Sequence, residues 1–255
     1  MGNEQSNEKA KKKKKSCGYN ALKGLVKCFY KKPTFSGIEN LGESPSLIIG
    51  NHAQVHGPIS CELYFPTKKK IWCIGQMMHV KEVPAYAYQD FWSLKPKGIR
   101  WFYKGLSYVI APLCSFIFNR ADAIGVYKDS RILSTFRDTE RALADGDNVV
   151  IFPENTTPHN EIVNGFQDKF VDVARFYYKK HKIALSFVPM YVAPKLRKVV
   201  FGKPICYNPE QNIDEQRTAI CEYIQAEITR IAKELPRHKV VPYANVSKKL
   251  YPYSK

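Results

Sequence analysis

The 255 residues are 44% hydrophobic and 13% aromatic, enough for one large core or one core with a small accessory unit, and 40 Lys+Arg against 23 Asp+Glu leave a net charge of +17. No stretch reaches the roughly eighteen uninterrupted apolar residues of a spanning helix, and the N-terminus lacks the apolar core and cleavage site of a secretory leader, so neither is expected. Seven cysteines (17, 28, 61, 73, 114, 206, 221), odd in number and without a C-x-x-C pair, argue against a disulfide scaffold and predict a reducing, intracellular compartment.

Charge concentrates at the start of the chain, with ten lysines against two glutamates between Met1 and Lys32. Residues 1–18, which contain the run Lys11 to Lys15, read as a disordered polybasic tail. The opening Met-Gly-Asn-Glu-Gln-Ser fits the M-G-x-x-x-[ST] pattern for myristoylation of Gly2 in a eukaryote. In "YNALKGLVKCFYKK", residues 19–32, Leu22, Leu25, Val26, Phe29 and Tyr30 recur at helical spacing with lysines on the other side. This is a basic amphipathic helix suited to an anionic membrane interface. The competing reading is a solubilising lysine tail followed by an ordinary packed helix. Nucleic acid ranks below the membrane as a partner, because no recognisable nucleic-acid-binding motif is present.

From residue 33 to 236, short apolar runs alternate with longer stretches of helical period, the pattern of an α/β domain: a mixed, mostly parallel sheet flanked by helices. Strands are predicted at 46–50, 71–75, 124–127, 148–152, 184–192 and 198–201. Helices are predicted at 99–118, 130–144, 165–181 and 213–235. The last has Ile220, Ile224, Ile228, Ile231 and Leu235 on one face and Pro236 ending it. The apolar segment 106–118 is thirteen residues long and contains Pro112, so it reads as a buried or interfacial helix rather than a span. Residues 237–255 are left as a C-terminal tail.

The stretch "NHAQVHGP", residues 51–58, sets His52 and His56 four apart after the first predicted strand. The zinc motif H-E-x-x-H does not fit: Ala53 stands at the glutamate position, and Pro58 argues against a helix here, so no metal is expected. A histidine after a strand can also be a structural hydrogen-bonding residue.

Together with four further stretches along the chain, "SGIENLGESPSLIIGNHAQVHGPI" resembles the first motif of the glycerolipid acyltransferases, the 1-acylglycerol-3-phosphate acyltransferase family. In that family a strand ends in Asn-His, and an Asp stands beyond four intervening residues. Asn51 and His52 match; Gly57 occupies the aspartate position. "AIGVYKDSR" is similar to the second motif, with Lys128 where arginine is usual. "VVIFPENTT" resembles the third, keeping Phe152, Pro153, Glu154 and Thr156 but with Asn155 for glycine and Thr157 for arginine. "FVPMYV" and "VFGKPI" resemble the fourth motif and the closing strand. The matches run in order from Ser36 to Ile205.

The resemblance implies a membrane-associated enzyme, peripheral to the cytoplasmic face. It would move a fatty acyl group from an acyl-CoA or acyl-carrier-protein thioester, as co-substrate with no bound cofactor, to a hydroxyl of a lysophospholipid. His52 would be the general base, with Glu154 as the second catalytic residue. Asn51, His56, Lys128, Asn155 and Thr156 would bind substrate. In the family the aspartate holds the imidazole in its working tautomer, a job glycine cannot do, so His56, or Glu62 or Asp90 brought in by the fold, is expected to replace it. The alternative is a degenerate member that binds lipid or acyl thioester without turnover.

Overall fold

The computed structural model describes residues 17–89, 96–121 and 123–254. Gly2, the run Lys11 to Lys15 and Asp90 lie outside the described residues. In chain order the elements are α1 (Cys17–Phe29), β1 (Thr34–Ser36), β2 (Leu47–Gly50), α2 (His56–Tyr64), β3 (Lys69–Ile74), α3 (Val83–Ala87), α4 (Arg100–Arg120), β4 (Ala123–Val126) and α5 (Ile132–Ala144). There follow β5 (Asn148–Ile151), β6 (Glu154–Pro158), β7 (Asn164–Phe166), α6 (Asp172–His181), β8 (Ser186–Ala193), β9 (Lys198–Phe201), β10 (Ile205–Cys206) and α7 (Ile213–Glu234).

The main sheet has the order β1-β9-β8-β2-β5-β3-β4, with β10 also on β8. β2 pairs in parallel with both β5 and β8, and β3 with β5 and β4; β8 is antiparallel to β9 and β10. The fold is therefore the expected mixed, mostly parallel sheet flanked by helices. The alternation of a strand divides the core in two: Leu47 and Ile49 pack with Val149, Ile151, Phe187 and the isoleucines of α7. Ile48 packs on the other face with Val150, Val188, Met190 and Phe201. Every residue of β2 is buried because both of its faces and both of its edges are covered, which is why it reads as an unbroken apolar run.

All six predicted strands are present within a few residues. Two local expectations are corrected. The sequence predicts one helix over 165–181, but Asn164–Phe166 is strand β7 paired with β6, and α6 begins only at Asp172. The hairpin supplies partners to the backbone there, and tertiary pairing overrides the helical period. Secondly, a helix does run through Pro58: α2 starts at His56, so Pro58 falls in the first turn, where backbone N–H groups have no intrahelical acceptor to lose.

Residues 237–254 are packed rather than detached. Val240 N–H donates to the Pro252 carbonyl at 2.8 Å and Ser254 N–H to that of His238 at 3.0 Å. His238 is buried, with its Nε2 2.8 Å from the Tyr191 hydroxyl.

Helix α1 docks on α2. The Tyr19 hydroxyl and the Lys23 ammonium each donate to Glu62 at 2.8 Å, so one lysine of the helix turns inward, while Leu25 and Phe29 stay exposed. The buried residues of helix α4 are Ser107, Ala111 and Ser115. These small residues let it lie close, and Trp101, Phe102, Tyr108, Val109 and Leu113 face outward. The helical segment Lys97–Arg120 contains an 18-residue window with a mean hydropathy of 1.2 and is, by length and composition, long and apolar enough to cross a membrane.

Candidate active site

Strand β2 delivers Asn51 and His52 to the carboxyl edge of the sheet, where open α/β folds bind ligands. The Asn51 amide continues the ladder beyond the strand: Nδ2 donates to the Val192 carbonyl at 3.1 Å, and Oδ1 accepts from Val192 N–H at 2.7 Å. Asn51 is 1% exposed, and its amide fixes the strand end to β8.

After His52 the chain turns sharply. Ala53 and Gln54 have φ of 45° and 55°, the left-handed region, at a cost of about 1–2 kcal/mol each for non-glycine residues. This turn brings the Gln54 carbonyl onto the Nδ1 of His52. A carbonyl only accepts, so Nδ1 carries the hydrogen and Nε2 is left with its lone pair. The Gln54 side chain fixes the turn in place: its Nε2 donates to the Tyr251 hydroxyl at 2.9 Å and to the Ala244 carbonyl at 3.4 Å, both in the C-terminal segment. The imidazole is bracketed edge-to-face by Phe152 at 5.4 Å and Tyr243 at 5.8 Å between ring centroids. Burial in these rings lowers the His52 pKa, against the smaller opposing effect of the Gln54 hydrogen bond. The ring is therefore neutral at pH 7.

Glu154 begins β6 just past the end of β5. Its Oε2 accepts from His52 N–H at 2.6 Å and its Oε1 from Asn164 N–H at 2.9 Å. The carboxylate thus ties the histidine loop to the β6–β7 hairpin through the backbone, and it does not touch the imidazole. Desolvation raises its pKa, partly offset by the two backbone hydrogen bonds. His52 and Glu154, 102 residues apart, are together at one edge of the sheet.

None of the three groups expected to orient the ring does so. The His56 Nδ1 lies 3.2 Å from the Tyr30 hydroxyl. Glu62 is held by Tyr19, Lys23 and Lys69, and Asp90 is outside the described residues. The orienting group is a main-chain carbonyl. Gly57 leaves no room for the family's side chain: a Cβ there would stand 2.6 Å from Phe152 Cε1 and 2.9 and 3.0 Å from the carbonyl oxygens of His52 and Asn51. Gln54, Tyr243 and Tyr251 are not legible as site residues in the sequence, since an acceptor carbonyl is common to all residues and the two tyrosines sit near the far end of the chain.

The remaining candidates spread along the same edge. Asn155 Oδ1 accepts from Thr157 N–H at 2.8 Å in a tight turn, and Thr156 and Thr157 are exposed on β6. Lys128 follows β4, an exposed residue at the sheet edge. With β5 and β3 between β4 and β2, it is three strand spacings from the histidine strand, roughly 14 Å. His56 meets Tyr30 at the end of α1 and lines a cleft with Pro194, Arg197 and Lys198 of the β8–β9 region.

No protein-family model and no curated protein sequence matches the chain. Among solved structures it is similar to the crystal structure of the 1-acyl-sn-glycerophosphate (LPA) acyltransferase PlsC from Thermotoga maritima, at 14% identity and a TM-score of 0.47, over 86% of this chain and 78% of that one.

Proposed function

We propose that the chain is a lipid O-acyltransferase acting at a membrane surface, with His52 as general base. The carrying observation is the His52 ring itself: neutral by burial, with Nδ1 bound to the Gln54 carbonyl and Nε2 left as a lone-pair acceptor. In this reading Nε2 takes the proton of a lysophospholipid hydroxyl, and the oxygen attacks the carbonyl carbon of an acyl-CoA or acyl-carrier-protein thioester. The C–S bond then breaks, and the departing thiolate takes the proton back from the imidazolium. Glu154 acts as a positioning residue, holding His52 by its backbone N–H. Thr156, the Asn155 amide and, further along the edge, Lys128 are the groups offered to the acceptor. As a point charge, lysine holds phosphate less specifically than arginine. The outward apolar residues of α4, with the basic N-terminal region, would lay the molecule on an anionic membrane.

Replacing the orienting carboxylate of a serine protease by its amide costs about 10⁴ in turnover, largely through the wrong tautomer. The Gln54 carbonyl keeps the tautomer and gives up only the full negative charge that would stabilise the imidazolium. That difference also favours a second reading, a binder of lipid or acyl thioester that no longer turns it over.

The test is transfer of labelled acyl groups from acyl-CoA and acyl carrier protein to a panel of lysophospholipids, with the full chain beside His52→Ala. Loss of a general base is expected to lower the rate about 10²–10⁴-fold. Wild-type transfer indistinguishable from that of His52→Ala across the panel would leave the binder reading in its place.

A further inference from the structure

A second site adjoins the first. Behind the His52 loop, the end of α1, the start of α2 and the β8–β9 turn enclose a cleft of about 260 Å³, with Phe29, Lys31, His56, Arg197 and Lys198 among its walls. Its floor is polar: the Tyr30 hydroxyl lies 2.9 Å from the Ser60 hydroxyl and 3.2 Å from the His56 Nδ1. Its rim is cationic. Lys195 and Lys248 come near enough to lower the His56 pKa, after the larger effect of burial. Among the described residues, no carboxylate forms an ion pair with Lys31, Lys195, Arg197, Lys198 or Lys248, whereas Lys23 of α1 and Lys69 of β3 are each matched by Glu62.

The turn that carries these cations is itself built against preference. Arg197 has a φ of 51°, where glycine or asparagine sits at lower cost, and its N–H is tied to the Pro194 carbonyl at 3.1 Å. Arg197 and Lys195 are exposed and Lys198 half-buried, so the turn presents a cluster of positive charge at the mouth of the cleft. Beyond the cations the wall turns apolar, with Phe29 84% exposed at the lip and Leu25 58% exposed one turn earlier on α1. Pockets for drug-sized ligands run about 300–1,000 Å³, so this one fits a head group rather than a whole nucleotide-bearing thioester.

We propose that the cleft binds the phosphate head group of a phospholipid or lysophospholipid, the acyl chain leaving over Phe29 and Leu25 into the bilayer. The ligand class rests on the lipid-acyltransferase reading, but binding here requires no turnover. Arg197 supplies the forked donor and Lys31 and Lys198 flank it, above a polar floor in which the Tyr30 hydroxyl is tied to Ser60 and His56.

The experiment is calorimetric titration of the full chain with a short-chain lysophosphatidate below its micelle concentration, with inorganic phosphate and with 3′,5′-ADP. The cleft variant is Lys31→Gln/Arg197→Gln/Lys198→Gln. A charge-matched control, Arg137→Gln/Lys169→Gln/Lys179→Gln, lies at exposed positions on α5, α6 and the turn before α6. The cleft variant is expected to bind lysophosphatidate about tenfold more weakly, ~1.4 kcal/mol, with the control unchanged. Phe29→Ser is expected to weaken lysophosphatidate and leave inorganic phosphate as it was. Equal weakening by the control would reduce the effect to net charge and overturn the proposal. So would wild-type affinity in the cleft variant, or 3′,5′-ADP binding that this variant alone abolishes without lysolipid binding. Lysolipid binding lost from the cleft variant, in a wild type with no acyl transfer, would keep this site and remove the enzyme reading. Acyl transfer with undiminished lysolipid binding in the cleft variant would do the reverse.

Discussion

Burial lowers the His52 pKa from its ordinary 6.5, and the direction has two consequences. The base form persists to more acid pH than in a solvated histidine, so the acid limb of kcat/KM should fall below pH 6.5; a limb at or above 6.5 would remove His52 as the titrating base. For stability the sign is the opposite of a salt-bridged histidine. The unfolded chain binds this proton near pH 6.5 and the folded one resists it, so stability from this group declines as pH falls below 6.5. Gly57 is the other decisive residue. Its would-be Cβ meets a ring carbon and two backbone oxygens, of which the backbone cannot yield cheaply. Gly57→Asp should therefore destabilise by about 1–3 kcal/mol, as overpacking does, and lower any transfer activity. Thermal melting with the acyl-transfer assay checks both; a stable and more active variant would mean that the aspartate position had been lost for no steric reason.

At the scale of elements, the site is a junction of backbone ties. Asn51 joins β2 to β8, Glu154 joins the His52 loop to the β6–β7 hairpin, and Gln54 joins that loop to the C-terminal segment. Each is a side chain satisfying main-chain groups that the regular ladders leave over. Glu154→Gln tests the middle one. Two backbone N–H groups need acceptors, and an amide offers one oxygen and a donor that repels the second N–H. A buried donor left unpaired costs about 1–3 kcal/mol, so the variant should melt lower and lose activity together. Unchanged melting would mean that water takes up the orphaned N–H.

For the whole molecule, the +17 charge and the outward apolar face of α4 point to one experiment on membrane attachment. Polybasic adsorption is worth about 1 kcal/mol per lysine near an anionic surface and is screened by salt, while apolar insertion is not. Because α1 is bound to Glu62 through Tyr19 and Lys23, removing it would also expose a buried face of α2; the cleaner truncation stops at residue 16. Loss of residues 1–16 should remove the salt-sensitive part of binding to anionic vesicles, and Trp101→Ser/Val109→Ser/Leu113→Ser the salt-resistant part. Vesicle sedimentation across a salt series measures both, and binding unaffected by either change would move the contact elsewhere on the surface.

The sequence by itself determined six strands of the main sheet, β2, β3, β4, β5, β8 and β9, because buried strands such as β2 and β5 are short apolar runs wherever they lie in the sheet. It also determined α7, whose isoleucines recur at helical spacing and whose Asn212 caps the first turn by accepting from Asp214 N–H at 2.8 Å. It marked His52 and Glu154 only through the resemblance of their two stretches to motifs of the glycerolipid acyltransferases. Only the tertiary structure decided what orients His52, that Glu154 serves the backbone rather than the ring, that residues 164–166 pair as a strand, and that residues 237–254 close over the site through Tyr243 and Tyr251. Side-chain periodicity reports which face of an element is buried. It carries no record of where a main-chain carbonyl points or which segment nearly two hundred residues away comes to meet it, and those are the interactions that hold the His52 loop and ring.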